Sequence, residues 1–169
     1  AASAALTAEQ LSHRLSGEVY GYLPYWRVDD ETDAHLRYEL LSTIALFSVG
    51  FRADGSIETD APGYRMIVGS RVGTIIERAH AVGTRVDITF TSFGFAKNDA
   101  FFNDAAAQAR AIADAVALMA TLGADGANVD VEGLQSDDFT GFATFVRGLG
   151  EAARARNPLA QITVATNAN

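Results

Sequence analysis

The sequence predicts an α/β fold, the first five or so β-strands and helices of a (β/α)8 TIM-barrel-type architecture, hence an incomplete barrel. Three observations predict it. Short apolar, β-branched runs alternate with longer runs of helical period. The units recur at about 30 residues, the spacing of barrel units. The chain has 169 residues, where eight units need roughly 250. An open α/β sheet similar to half a barrel is the alternative architecture, and in either case the first and last strands would present unpaired edges.

The strands are expected at 18–23, 43–51, 85–93, 126–131 and 161–166. Several are near-continuous apolar runs, as strands covered by helices are. Between them, 33–41 and 66–82 read as helices; Ile67, Ile75, Ile76 and Ala79 hold helical spacing in the second, and Gly83 stops it. Asn103 is placed to cap a helix through Ala106, Ala109, Ile112, Val116 and Met119, with Gly123 at its left-handed C-terminal position. Ser136 or Asp137 opens a further helix that Asn157-Pro158 closes. Residues 1–17, with an amphipathic piece from Leu6 to Leu15, read as a lead-in to a domain spanning 18–169. The ending at Ala165-Thr166-Asn167, in or just after a strand, leads us to expect further residues in the natural protein.

Hydrophobic residues make up 49% of the chain and charged residues 20%, enough apolar material for one domain core. A net charge of −8 and a pI near 4.7 leave no basic stripe to neutralise phosphates, so no nucleic-acid partner is expected. No apolar run reaches the roughly 18 residues of a membrane span, so no membrane partner is expected either. Without cysteine there is no disulfide framework and no thiolate metal site. The start Ala1-Ala2-Ser3-Ala4-Ala5 is what removal of a leader would leave, and suggests a secreted or cell-surface protein.

Chemistry concentrates in residues 125–132, Asp125-Gly126-Ala127-Asn128-Val129-Asp130-Val131-Glu132. In a strand Asn128, Asp130 and Glu132 share one face while Val129 and Val131 share the other. Same-face neighbours lie ~6.5–7 Å apart along the backbone, so Asp130 and Glu132 can touch, and two carboxylates that close cannot both ionise cheaply. Burying them in a parallel sheet costs several kcal/mol for each uncompensated charge, and a purely structural strand would carry Val, Ile or Leu there. Glu132, at the strand's end, would project at the C-terminal rim where α/β folds place reactive groups. The plainer alternative is a strand end whose carboxylates cap the next helix or meet water. An EF-hand calcium loop is disfavoured because its glycine and distal glutamate are absent, and no metal or cofactor is called for. His13, His35 and His80 have no matched acid or nucleophile at a strand end and read as surface or packing residues.

The stretch resembles the fourth-strand pattern of glycoside hydrolase family 18, Asp-Gly-x-Asp-x-Asp-x-Glu, matched by Asp125, Gly126, Asn128, Asp130 and Glu132, with Asn128 in place of the middle aspartate. Gly21-Tyr22-Leu23-Pro24-Tyr25-Trp26 is similar to the family's first strand and Ala45-Leu46-Phe47-Ser48 to its second. Ser92-Phe93-Gly94-Phe95 is similar to its third-strand Ser-x-Gly-Gly, with Phe95 for the last glycine. The resemblance implies a retaining, substrate-assisted glycosidase with Glu132 as general acid and Asp130 orienting the substrate's acetamido group. Asp125 and Asn128 would support Asp130, and Tyr22, Trp26, Phe47, Ser92 and Gly94 would contact the sugar. For Tyr22 and Trp26, burial as barrel aromatics competes with stacking on sugar faces. The partner implied is a polysaccharide or oligosaccharide of β-1,4-linked N-acetylglucosamine, chitin first and peptidoglycan glycan strands second, and the enzyme would be a monomer if its barrel is complete. A non-catalytic glycan-binding protein and an inactive fragment are the competing readings; retention of Glu132 favours the enzyme. The family's sixth-strand tyrosine and eighth-strand tryptophan have no counterpart in these 169 residues.

Overall fold

Five parallel strands form a single sheet in sequence order: β1 (Tyr20–Pro24), β2 (Thr43–Gly50), β3 (Arg85–Phe93), β4 (Gly126–Glu132) and β5 (Gln161–Val164). The structure, a computed structural model, describes residues 4–7 and 16–166. Most of the expected amphipathic lead-in, together with His13 and Asn167, lies outside the described residues. All five strands fall where the sequence places them.

Pairings such as Ile44↔Val86 and Ile88↔Ala127 align side chains of one face across the sheet. On that face Ile44, Leu46, Val86, Ile88, Phe90 and Val129 are buried beneath helices. The opposite face is polar: Thr43, Asp87, Thr89 and Asn128 are buried there. The register skips at Ser48, beside the cis Phe47–Ser48 peptide.

That polar face is concave. Strands lie ~4.8 Å apart, so a flat sheet would hold β1 and β5 about 19 Å from one another, beyond side-chain reach. Yet the Tyr20 hydroxyl on β1 is 3.0 Å from Thr163 Oγ1 on β5, and Thr43 on β2 donates to Gln161 Oε1 on β5 at 3.3 Å. The sheet therefore curls as a barrel wall does, which excludes the flat open-sheet alternative.

The helices are α1 (Asp30–His35), α2 (Pro62–Ile67), α3 (Ser70–Ala81), α4 (Phe95–Phe102), α5 (Ala105–Leu122) and α6 (Phe139–Arg156). The helix expected over 33–41 starts earlier, because Asp29 caps the Thr32 N–H, and it ends at Leu36, leaving only a 3-10 turn at Tyr38–Leu40. The one expected over 66–82 is two helices: Pro62 starts α2, and the extended backbone of Gly69 separates it from α3. Asp104, not Asn103, caps α5, accepting from the N–H groups of Ala106 and Ala107. Asn103 instead ends α4, a helix with no clear apolar period in its sequence. Gly123 adopts the left-handed conformation expected of it (φ 77°, ψ 27°) and closes α5. A 3-10 turn at Ser136–Asp138 leads into α6, and Asn157 ends that helix.

The core lies between sheet and helices. Phe51 stacks on Phe90 at 5.3 Å, and Phe101 on α4 meets Phe145 on α6 edge-on at 5.3 Å, linking β3 to both helices. By length and composition α5 could cross a membrane, but its Ala107, Ala111, Ala115 and Leu118 pack into this core.

Candidate active site

The C-terminal end of β4 places two carboxyls on the concave face. Register pairs Thr91 with Asp130 and Phe93 with Glu132, so both acids stand on the polar side while Val131 packs against the core. Asp130 is partly buried and Glu132, the last residue of the strand, is exposed. Burial, and then the negative charge of Glu132, push the Asp130 carboxyl above its ordinary value.

The backbone under Glu132 is fixed by α4. Asn98, fully buried, donates from Nδ2 to the carbonyls of Glu132 and Gly133 at 2.8 and 3.2 Å, and the Gly94 N–H donates to the Glu132 carbonyl at 3.0 Å. Asn98 was not expected from sequence because α4 itself was not.

A cleft of about 1290 Å³ opens over the pair, lined among others by Tyr22, Trp26, Phe47, Asp130, Glu132 and Phe142. Tyr22 is 49% and Trp26 61% exposed among the described residues, and both line the cleft. Trp26 rests edge-on against Tyr25 at 4.9 Å and against half-buried Phe47 at 6.0 Å. The sequence thus brings Tyr22, Trp26, Phe47, Asp130 and Glu132 together, with Gly94 at the same rim.

Two expected site residues are elsewhere. Ser92 pairs with Val131 and so faces the helix layer; it is 2% exposed and donates to Asn98 Oδ1 at 2.6 Å. It supports α4 and does not reach the cleft.

Asp125 precedes β4, about 16 Å from Asp130 along the strand. Its carboxylate accepts from the N–H groups of Leu6 and Val86 and meets His80 Nε2 at 2.8 Å, so it anchors the opposite end of the barrel wall and does not hold Asp130. His80 is the buried packing residue the sequence suggested, but it has an acidic partner.

Asn128 is buried on the concave face below Asp130, accepting from the Tyr22 hydroxyl at 3.3 Å and donating to Thr163 Oγ1 at 2.9 Å. Deeper still, Asp87 on β3 is fully buried, and burial above all pushes its carboxyl up to about 7. Asp87, Tyr20 and Thr163 were missed, although polar residues recur at every second position of β3, as they do in β4.

Among solved structures the chain is similar to a chitinase from Bacteroides thetaiotaomicron, with 23% identity over 90% of this chain and 47% of that one, at a TM-score of 0.74. It is also similar to a GH18 chitinase from Cycas revoluta solved with (GlcNAc)3, at 18% identity over 89% of this chain and 46% of that one, with a TM-score of 0.71. The spore cortex-lytic enzyme SleL of Bacillus megaterium is similar at 16% identity over 88% of this chain and 34% of that one, with a TM-score of 0.72. The chain has the fold of part of a chitinase barrel. It spans about half the length of the chitinases it matches. No family model and no curated protein sequence matches it. In a chitinase-type barrel wall, the rim that carries Asp130 and Glu132 is the C-terminal face, where (β/α) barrels gather their reactive groups.

Proposed function

We propose that this chain carries the acid-bearing half of a glycoside hydrolase that cleaves β-1,4-linked N-acetylglucosamine polymers with retention, Glu132 acting as general acid. The observation that carries the reading is the placement of Asp130 and Glu132 on one face at the strand's end, inside a cleft with exposed Tyr22 and Trp26. In the mechanism the resemblance implies, Glu132 gives its proton to the glycosidic oxygen as the bond from that oxygen to C1 breaks. The carbonyl oxygen of the sugar's own acetamido group bonds to C1, an exception to the two-carboxylate scheme. Asp130 orients that acetamido group and offsets the positive charge of the oxazolinium ring. Water then attacks C1, returns a proton to Glu132 and frees the acetamido group, which leaves the anomeric configuration as it began.

Chitin is the first substrate and peptidoglycan glycan strands the second; the likeness to a spore cortex-lytic enzyme supports keeping the latter. Secretion fits an insoluble extracellular polymer. Trp26, the one tryptophan of the chain, reports on the cleft directly. Titration with N-acetylglucosamine oligomers is expected to shift its fluorescence saturably, whereas cello-oligosaccharides, which lack the acetamido group, leave it unchanged. Equal responses to both would contradict the N-acetylated substrate.

A further inference from the structure

The concave face carries a buried carboxylate for which the proposed chemistry has no use. Asp87 is 0% exposed, its Oδ2 accepts from the Tyr20 hydroxyl at 3.1 Å, and its Oδ1 has no partner among the described residues. An acid buried with a single hydrogen bond is costly and calls for an explanation.

The bonds leading away from Asp87 form one path across the barrel wall. Tyr20 oxygen lies 3.0 Å from Thr163 Oγ1, Thr163 Oγ1 accepts from Asn128 Nδ2 at 2.9 Å, and Asn128 Oδ1 accepts from the Tyr22 hydroxyl at 3.3 Å. The direction of the path follows from proton counting. When Asp87 is ionised, Tyr20 gives its one hydroxyl proton to it, so Thr163 donates to Tyr20. The Thr163 oxygen then takes a proton from the Asn128 amide, whose carbonyl is left to accept from Tyr22. Every proton on the path points towards Asp87. Tyr22, at the far end, is an electrostatic neighbour of Asp130 and lines the same cleft.

Asn128 is what makes the path one-directional. An amide both accepts from Tyr22 and donates to Thr163, whereas an ionised aspartate at that position could only accept. The substitution of amide for acid at 128 is thus matched by an acid at 87.

We propose that Asp87 is a positioning residue for the acid pair, its carboxylate terminating a hydrogen-bond chain through Tyr20, Thr163 and Asn128 that holds the Tyr22 hydroxyl beside Asp130. This deepens the proposed function and rests on the roles given there to Asp130 and Glu132. The charged and titratable groups facing Asp87 are Tyr20 and Tyr22 on β1, Asp125 ahead of β4, Arg85 on its own strand and Glu18 ahead of β1. Of these, Asp125 is itself engaged by His80.

The test is NMR titration of the whole chain from pH 5 to 9, reading the Asn128 side-chain amide and the Asp87 and Asp130 carboxyl carbons. The unmodified protein is expected to show the Asp87 midpoint near 7 repeated in the Asn128 amide and as a second inflection at Asp130. Asp87→Asn removes that inflection from both. In Tyr20→Phe, and independently in Thr163→Val should the first fail to fold, Asp87 still titrates but the Asn128 amide no longer follows. An Asn128 amide indifferent to Asp87 in the unmodified protein, or one that follows it equally in the broken-chain variants, overturns the proposal. Since no substrate is used, a failure of glycoside hydrolysis would count against the function alone.

Discussion

Asp130 and Asp87 are both carboxyls displaced upward from their ordinary range, yet the balance of causes differs. Asp130 sits at a cleft, where burial is partial and the Glu132 charge adds to it; Asp87 lies under the barrel wall, where burial dominates. For Asp87 the displacement has a consequence for stability. Its folded pKa of about 7 lies above the ordinary 3.8, so the native state holds a proton that the unfolded chain has released between those two values. Stability from this group is full below about pH 4 and is lost as pH rises to 7, to a total of roughly 4 kcal/mol at 1.36 kcal/mol per unit. Asp87→Asn keeps an acceptor for Tyr20 without the charge. Its thermal midpoint is expected to exceed that of the unmodified chain at pH 8 and to match it near pH 4; a variant less stable at pH 8 would contradict the account. The residues of β4 were legible because acids at alternate positions in a buried strand have few structural excuses. Asp125 was misassigned because sequence adjacency in a strand is not proximity: five residues of extended backbone carry it to the far end of the barrel wall.

Among the elements, α4 matters most to the site and was the least legible. It begins beside Gly94 and carries Lys97, Asn98 and Asp99 between aromatic residues, so its apolar period is broken, and its stability comes from burying Phe101 and Phe102. Its contribution to the site is Asn98, which joins Ser92 Oγ to the carbonyls of Glu132 and Gly133. Asn98→Ala leaves the buried Ser92 hydroxyl and the partly buried Gly133 carbonyl without these partners, a cost of about 1–3 kcal/mol for the hydroxyl and less for the carbonyl. A denaturant midpoint lowered accordingly is the expected result, and an unchanged midpoint would show that water or a neighbour replaces the amide. The strands were legible in full because their apolar runs are bounded by turn residues. The helices shifted where a cap chemistry outweighed periodicity, as Asp29 and Asp104 do at the starts of α1 and α5.

At the scale of the molecule, the five strands make half a wall: β2, β3 and β4 are paired on both sides, while β1 and β5 are each paired on one side among the described residues. Two bonds across the concave face, Tyr20 to Thr163 and Thr43 to Gln161, tie β1 and β2 to β5. Amide hydrogen exchange is therefore expected to be slowest in β2, β3 and β4 and faster in β1 and β5; uniform protection across the sheet would mean that the outer edges are paired in solution. The curl of the wall was not legible in the sequence, which shows strand faces but not the contacts between strands far apart. It is this curl that gathers Tyr22 and Trp26 over the β4 acids and makes a cleft of what would otherwise be a rim. The proposal that Glu132 is the proton donor of that cleft is tested by release of fluorophore from a fluorogenic chito-oligosaccharide by the unmodified chain and by Glu132→Gln, which keeps size and hydrogen bonding but has no proton to transfer. Release by the unmodified chain alone is the predicted result, and equal release by both proteins would contradict it.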